Sequence, residues 1–119
     1  MARSSQEGTM PGLGWIKGKI LILPHFNGSH YVCLPHMGCN TIIPNGMNQI
    51  LTGLNDKSRF YFLHSYYLQC DSKDSSVATT EYGIQFTSVL NYRNIYGVQF
   101  HPEKSHRSGI QILRNFADL

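Results

Sequence analysis

The sequence predicts a strand-rich fold of the α/β class that ends in one C-terminal helix. Three observations carry this prediction. A continuous aromatic run at Phe60–Leu63 is typical of a central strand that is buried on both faces. Over residues 77–100, three apolar segments are separated by turn residues, which predicts a three-stranded meander. After Ser108 the apolar residues recur at helical spacing, and this is the one convincing helical pattern in the chain.

The elements before the meander are short and separated by glycine and proline. The segment through Gly18 is rich in glycine and serine, and it is predicted to be a loop or connector. Lys19–Leu23 is predicted to be a strand that ends at the following proline. Residues 41–55 are predicted to hold at most a short helix, because glycines interrupt the apolar residues. Residues 71–76 are predicted to form a turn or loop.

The meander and the helix have these predicted bounds. The three strands are Val77–Tyr82, Ile84–Leu90 and Ile95–Phe100. The helix runs from about Ser108 to the C-terminus, with Ile110, Leu113 and Phe116, or Ile112 and Phe116, on its apolar stripe. One helix is too little to cover both faces of a sheet of about five or six strands, so we expect part of the fold to be missing from these residues.

Composition excludes several classes of function. The 119 residues fit one domain, and their formal net charge is only +3. The basic residues are scattered rather than clustered, so no nucleic-acid partner is predicted. No apolar run approaches the ~20 residues of a membrane span, and the N-terminal residues lack the apolar core of a signal peptide. Three cysteines without a framework spacing fit a reducing compartment, so a cytoplasmic location is predicted.

The most informative motif places a histidine and a carboxylate two residues apart, at His101 and Glu103. Residues i and i+2 of an extended segment point the same way, and Pro102 favours extended geometry in the residue before it. The motif is therefore predicted to present an imidazole beside a carboxylate. This pair corresponds to the base and the orienting acid of a nucleophilic triad, which further requires a nucleophile.

The other chemistry-bearing residues give weaker signals. A nucleophilic cysteine on a strand-to-helix elbow needs small neighbours. Cys33 and Cys70 have no adjacent glycine, and Cys39 has one only before it, so none of them qualifies. The six histidines lack the tight spacing of zinc ligands, and no metal or other cofactor is predicted.

Several segments together resemble the class I, triad-type glutamine amidotransferases. The His101 motif, with Gly97–Phe100 before it and Lys104–Ser105 after it, resembles the C-terminal signature of that family. Within the family the chain is most similar to the glutaminase subunit of imidazole glycerol phosphate synthase. The segments that carry this similarity are Gly12–Trp15 with Gly18–Lys19, a loop at Pro35–Asn40, an aromatic strand and following loop at Tyr61–Tyr67, and a hairpin at Ala78–Gly83.

The resemblance implies an α/β open sheet and a function in histidine biosynthesis. It implies that a cysteine thiolate attacks glutamine, with His101 as general acid and base and Glu103 as its orienting acid. His64, Ser65 and Tyr66 match a loop that lines the glutamine site.

The resemblance also implies a heterodimer with a synthase (cyclase) subunit. Met37, Gly38, Cys39 and Asn40, together with Lys104, match residues at that interface. Cys39 departs from the family, which usually has tryptophan there, and this departure puts the affinity or identity of the partner in doubt.

The family nucleophile lies in a Gly-x-Cys-Leu-Gly elbow. Residues 4–8 resemble the segment just after the elbow helix, so 1–119 is expected to be the C-terminal part of the domain, without the nucleophile. The chain by itself is therefore expected to hydrolyse no glutamine. Two alternatives stay open: a non-catalytic remnant or partner-binding module, and a paralogous amidotransferase that serves sugar amidation in surface-polysaccharide synthesis.

Overall fold

Nine strands and one α-helix form the regular structure of the chain, and the computed structural model describes all residues 1–119. The strands are β1 Ser4–Ser5, β2 Gly18–Ile22, β3 His36–Thr41, β4 Ile43–Pro44, β5 Arg59–His64, β6 Tyr66–Cys70, β7 Ser76–Tyr82, β8 Ile84–Tyr92 and β9 Ile95–Val98. The helix α1 is His106–Ala117, and 3₁₀ turns lie at Gln49–Leu51, Lys73–Ser75 and Pro102–Lys104. This architecture confirms the predicted strand-rich α/β fold with a C-terminal helix. No helix is long and apolar enough to cross a membrane.

Seven of the strands form one sheet in the order β1-β2-β6-β8-β7-β4, with β9 also paired to β8. The strands β7, β8 and β9 are the predicted meander, with ends that differ by at most two residues from the prediction. Along β8 one edge is occupied by β7, while β6 and β9 share the other edge. β6 contacts that edge at Thr87 and β9 pairs with residues 89–92. No strand was predicted from the sequence at the position of β6.

The strands β3 and β5 form a separate antiparallel pair, and this corrects two expectations. The segment that resembles a loop at Pro35–Asn40 is mostly strand, because β3 pairs along its whole length with β5. The expectation that Phe60–Leu63 is buried on both faces is also wrong. Phe60 and Phe62 are fully buried, whereas Leu63 on the opposite face is 40% exposed. A two-stranded sheet over a core has one covered face, so its side chains alternate between core and surface.

The main core lies between β5, the inner face of the meander and α1. Aromatic rings form its centre: the ring centroid of Phe100 lies 4.2 Å from that of Phe60 and 5.7 Å from that of Phe62. The buried residues of this core are Leu23, Ile42, Ile50, Leu51, Phe60, Phe62, Val77, Ala78, Phe86, Val89, Phe100 and Ile112. The residue before the His101 motif is therefore fixed by packing, which positions the motif at the edge of the core.

The helix α1 packs through a narrower face than its apolar stripe predicts. Gly109, Ile112 and Asn115 are buried, while Ile110 and Phe116 are each about half exposed. Gly109 allows the helix to approach the backbone of the preceding 3₁₀ turn, and the Asn115 amide donates to two backbone carbonyls at 2.8 Å each. The close approach of Gly109 to the 3₁₀ turn and the hydrogen bonds of Asn115 therefore determine which face of α1 is packed. The predicted apolar stripe is largely exposed.

Candidate active site

His101 and Glu103 are in hydrogen-bond contact where the chain leaves the meander. β9 ends at Val98, and the 3₁₀ turn Pro102–Lys104 follows His101, whose backbone is extended. This turn, rather than a continuing strand, brings His101 Nδ1 to 2.9 Å from Glu103 Oε1. The imidazole is 38% exposed, and its Nε2 makes no hydrogen bond within the chain. One ring nitrogen is thus held by the carboxylate, and the other is free of hydrogen bonds to the chain.

The electrostatics of this pair favour one proton arrangement. The backbone N–H of Glu103 and the hydrogen bond from His101 hold the pKa of the Glu103 carboxyl below its ordinary value. The carboxylate is therefore ionised at neutral pH and accepts the Nδ1–H of the imidazole. Nε2 then carries the lone pair that can take a proton from a substrate or nucleophile.

Ser105 fixes the position of His101 relative to β5. The Ser105 hydroxyl donates to the carbonyl oxygen of His101 at 2.6 Å and accepts from the backbone N–H of Tyr61 at 2.9 Å. The backbone N–H of His101 in turn donates to the carbonyl oxygen of Tyr61 at 2.9 Å. Ser105 is 4% exposed, so both of its backbone partners depend on this hydroxyl rather than on water.

Replacing Ser105 with alanine is expected to destabilise the fold by about 2 kcal/mol, because a buried N–H and a buried carbonyl lose their partner. Urea unfolding followed by tryptophan fluorescence or circular dichroism measures the loss. Ser108→Ala is the matched control, since Ser108 lies in the first turn of α1, three residues after Ser105, and its side chain makes no hydrogen bond within the chain. Equal stability of the two variants would contradict the role given to the Ser105 hydroxyl.

The residues predicted to line a glutamine site, His64, Ser65 and Tyr66, lie at the junction of β5 and β6. The His64 side chain is fully engaged: its Nδ1 lies 2.8 Å from the carbonyl oxygen of Tyr66, and its Nε2 lies 3.0 Å from Nδ1 of His36. The backbone carbonyl of Ser65 accepts from the N–H of Leu23. The half-buried hydroxyls of Ser65 and Tyr66 make no hydrogen bond within the chain, so these are the free polar groups of the segment.

Two imidazoles, the buried His36 and the half-buried His64, support this segment. Burial, and then repulsion from His64, lowers the pKa of His36 to about 4. Burial also lowers the pKa of His64, and the charge of nearby His101 acts in the same direction. Both rings are therefore neutral at pH 7, and each uses one nitrogen as a donor and the other as an acceptor.

Acidification is expected to destabilise the protein through His36. Between pH 6.5 and pH 4 the unfolded chain binds a proton that the native state rejects, so the free energy of unfolding falls as the pH falls. A pKa that drops from 6.5 to about 4 corresponds to about 3 kcal/mol at the acid end. Urea midpoints measured from pH 7 to pH 4 test this. His36→Phe, which keeps a stacked ring but cannot titrate, should flatten the pH dependence, and an unchanged slope would contradict the assignment.

Of the residues predicted at a partner interface, Met37, Cys39 and Lys104 share one surface. Met37 and Cys39 are exposed on the outward face of β3, opposite the core. Cys39 pairs across the strands with Tyr61, and the Lys104 ammonium lies 5.6 Å from the centre of the Tyr61 ring. With Leu63 these side chains form an outward surface that is apolar at one end and cationic at the other.

Gly38 and Asn40 belong to the opposite face of β3. The Asn40 amide donates to the backbone carbonyl of Glu81 at 3.1 Å and approaches Nε2 of His36 at 3.5 Å. The strand alternation that exposes Met37 and Cys39 turns Asn40 toward the interior. Its side chain is therefore a structural link between β3 and β7 and does not belong to the outward surface.

None of the three cysteines reaches His101. Cys39 and His101 are both paired with Tyr61, at opposite edges of β5, so two strand spacings of about 10 Å separate them. No hydrogen bond joins Cys33, Cys39 or Cys70 to the imidazole. Within these residues His101 and Glu103 are a base and its orienting acid without a thiol. No group of three or more His, Cys, Asp and Glu side chains is placed to hold a metal ion.

Ser105 and His36 contribute to the site in ways that the sequence did not predict. Ser105 belongs to the motif that ends the meander, and its spacing of four residues from His101 is a signal for a side-chain bond to the His101 carbonyl. His36 carries no such signal. Its contact with His64 depends on the pairing of β3 with β5, and the two residues are 28 positions apart.

Comparison with known proteins identifies the family. The description "Glutamine amidotransferase class-I" applies to the family model that matches residues 25–119, which include His64 and the whole His101 motif. The chain belongs to the class I glutamine amidotransferase family.

Its relatives include imidazole glycerol phosphate synthase subunits. The chain is 43% identical over 119 residues to the subunit HisH of Bdellovibrio bacteriovorus and 44% identical over 119 residues to that of Leptospira interrogans. It is 45% identical over 116 residues to the subunit HisH 2 of Methanococcus maripaludis. These matches cover 98–100% of this chain and 56–58% of the relatives, so the chain spans little more than half of their length. They confirm the resemblance predicted from the sequence segments.

A solved structure shows the same fold at low sequence identity. A protein of Thermoplasma acidophilum, described as a subunit of a GMP synthase, superposes on this chain with a TM-score of 0.64 and 19% identity. The superposition covers 85% of this chain and 47% of the Thermoplasma chain. At this identity the similarity concerns the fold alone.

Proposed function

We propose that this chain supplies the acid–base half of a glutaminase site that releases ammonia for imidazole glycerol phosphate synthesis, in histidine biosynthesis in the cytoplasm. The observation that carries the proposal is the 2.9 Å contact between His101 Nδ1 and Glu103 in a chain 43–45% identical to subunits of that synthase. The 119 residues are proposed to be part of a glutamine amidotransferase domain whose nucleophile lies on another segment.

In the proposed reaction a cysteine thiolate attacks the side-chain amide carbon of glutamine. His101 Nε2 takes the thiol proton and returns it to the departing nitrogen, so that ammonia leaves and a thioester remains. Water then attacks the thioester with His101 as base, the C–S bond breaks, the imidazolium returns its proton to the departing thiolate, and glutamate is released. Glu103 holds the Nδ1 proton and stabilises the imidazolium that forms in both steps. The free hydroxyls of Ser65 and Tyr66 are proposed to bind the glutamine.

The ammonia is proposed to pass to a cyclase subunit that binds the outward surface of β3 and β5. Met37 and Leu63 offer apolar contact there, and Lys104 offers a cation for an acidic residue of the partner. This surface lies on the same face of β5 as the His101 side chain, since His101 and Cys39 both pair with Tyr61. A partner bound there would therefore adjoin the site of ammonia release.

A chimera tests this function. Residues 1–119 of this chain replace the matching segment of the Bdellovibrio bacteriovorus relative, and the product is combined with the cyclase subunit of that synthase. We expect glutamine-dependent formation of imidazole glycerol phosphate, with the unaltered relative as the control. A folded chimera that neither hydrolyses glutamine nor forms this product would contradict the proposal. Glutamine hydrolysis without this product would instead favour a paralogue that serves sugar amidation.

A non-catalytic partner-binding module is the second candidate function. The specific observation in its favour is that none of the three cysteines hydrogen-bonds His101, although Met37, Leu63 and Lys104 are exposed on the outward surface. For the isolated 119-residue chain we expect no ammonia release from glutamine in either case. Binding of the isolated chain to the cyclase subunit, combined with an inactive chimera, would favour this second function.

A further inference from the structure

His36 is a buried side chain that the proposed reaction does not use. Its imidazole is 3% exposed and lies between two aromatic rings, with centroids 4.0 Å from Tyr82 and 4.7 Å from Phe62, nearly parallel to both. A polar ring held this tightly in a core needs partners for both of its nitrogens. Its partners lead in two directions, toward His64 and toward Asn40.

Asn40, His36, His64 and the Tyr66 carbonyl form a row of hydrogen-bonding groups. The acceptor at one end of this row fixes the direction of every hydrogen bond in it. The Tyr66 carbonyl oxygen can only accept, so the His64 nitrogen 2.8 Å away, Nδ1, carries the proton. His64 Nε2 is then an acceptor, and His36 Nδ1 at 3.0 Å must donate to it. His36 Nε2 is therefore also an acceptor, and it faces the Asn40 amide at 3.5 Å. Both neutral rings carry their proton on Nδ1.

This row joins two regions that the proposed function uses separately. One end is Asn40, which directly follows Cys39 of the outward surface on β3. The other end is the Ser65–Tyr66 segment, which carries the free hydroxyls near the proposed glutamine site. The same cross-strand pair, His36 with His64, closes the end of the β3–β5 ladder. The His36–His64 hydrogen bond therefore adds a side-chain link between β3 and the Ser65–Tyr66 segment to the backbone pairing of β3 with β5.

We propose that His36 is a positioning residue that couples the partner-facing strand β3 to the glutamine-site segment Ser65–Tyr66 through its hydrogen bond to His64. This proposal rests on the proposed function, which makes β3 the partner-facing strand and Ser65–Tyr66 the glutamine-binding segment. The linkage itself is a property of the chain. It requires a donor at the position of His36 Nδ1, and an aromatic ring alone does not satisfy it.

The tautomers test the linkage without reference to function. Long-range nitrogen–proton correlation spectra of the 119-residue chain, labelled with ¹⁵N-histidine, identify the protonated nitrogen of each ring. At pH 7 we expect His36 and His64 to be neutral with the proton on Nδ1. A ring found with its proton on Nε2 would overturn the proposal, because the row could not then run from Asn40 to Tyr66.

The coupling is tested by adding the Bdellovibrio bacteriovorus cyclase subunit to the labelled full chain and following backbone amide signals. In the unaltered chain we expect shifts at Met37–Cys39 and also at Ser65 and Tyr66. In His36→Phe the shifts on β3 should persist while those at Ser65 and Tyr66 are lost. His36→Asn, whose amide can donate near the Nδ1 position, should restore them, and His30→Phe at an exposed histidine should match the unaltered chain.

The outcomes separate the two proposals. Shifts at Ser65 and Tyr66 that survive in His36→Phe would overturn the coupling. If His36→Phe does not fold, His36→Asn decides, and loss of the distant shifts in that variant would also overturn it. Absence of any shift on β3 in the unaltered chain would contradict the proposed partner. The tautomers of His36 and His64 would then decide whether the hydrogen-bonded link exists.

Discussion

Replacing Gly109 with alanine is expected to separate α1 from the turn that carries Glu103 and to destabilise the fold by about 3 kcal/mol. A Cβ atom at this position would lie 1.9 Å from the carbonyl oxygen of Pro102 and 2.7 Å from its carbon. That carbonyl cannot move aside freely, because it accepts the backbone N–H of Ser105. The gain in helix propensity from glycine to alanine, about 1 kcal/mol, is too small to offset the clash.

Urea unfolding of Gly109→Ala gives the magnitude, and Gly8→Ala is the matched control. A Cβ atom at Gly8 would have no other atom within 4 Å, so this control should change stability little. Because the clash is with the 3₁₀ turn, the His101 ring signals should also shift in Gly109→Ala and not in Gly8→Ala. A Gly109→Ala variant as stable as the unaltered chain would show that α1 does not depend on this close approach.

The second large effect is expected on catalysis when His101 is replaced with alanine in the chimera. General acid–base catalysis contributes about 10²–10⁴-fold, and the nucleophile also depends on the base for its activation. We therefore expect glutamine hydrolysis to fall by about 10³-fold or more. His25→Ala, at an exposed histidine outside the site, is the matched control and should leave the rate unchanged.

Glu103→Gln should have a smaller effect than His101→Ala. Glutamine removes the negative charge that stabilises the imidazolium, but the Glu103 side chain is 61% exposed, so solvent screens part of that charge. We expect a loss of about tenfold to a hundredfold in kcat with little change in KM. Equal losses in both variants would mean that Glu103 does more than orient the ring, and no loss in either would remove the pair from the proposed mechanism.

The parts of the site that could be predicted from the sequence are those whose partners are close along the chain. His101 and Glu103 are two residues apart, so local backbone geometry is enough to bring them together, although a 3₁₀ turn does this rather than a strand. The three strands of the meander are joined by short turns and are also local. The resemblance to the amidotransferases rests on motifs of this local kind.

The parts that could not be predicted depend on contacts between distant residues. The expectation of a loop at Pro35–Asn40 was wrong for residues 36–40, because their strand conformation comes from pairing with β5, whose residues are distant in the chain. The exposed face of β5 follows from its place in a two-stranded sheet. The packed face of α1 is selected by the approach of Gly109 to Pro102 rather than by its apolar stripe.

The sequence by itself determined the family of this protein, the three-stranded meander β7–β9 and the pairing of an imidazole with a carboxylate, because short-range geometry and local side-chain pattern specify these. Only the tertiary structure decided which side chains share a surface. It placed Met37 and Cys39 with Lys104, turned Asn40 inward, and joined His36 to His64. Such contacts follow from strand register and from buried hydrogen bonds between distant segments, which the local sequence does not encode.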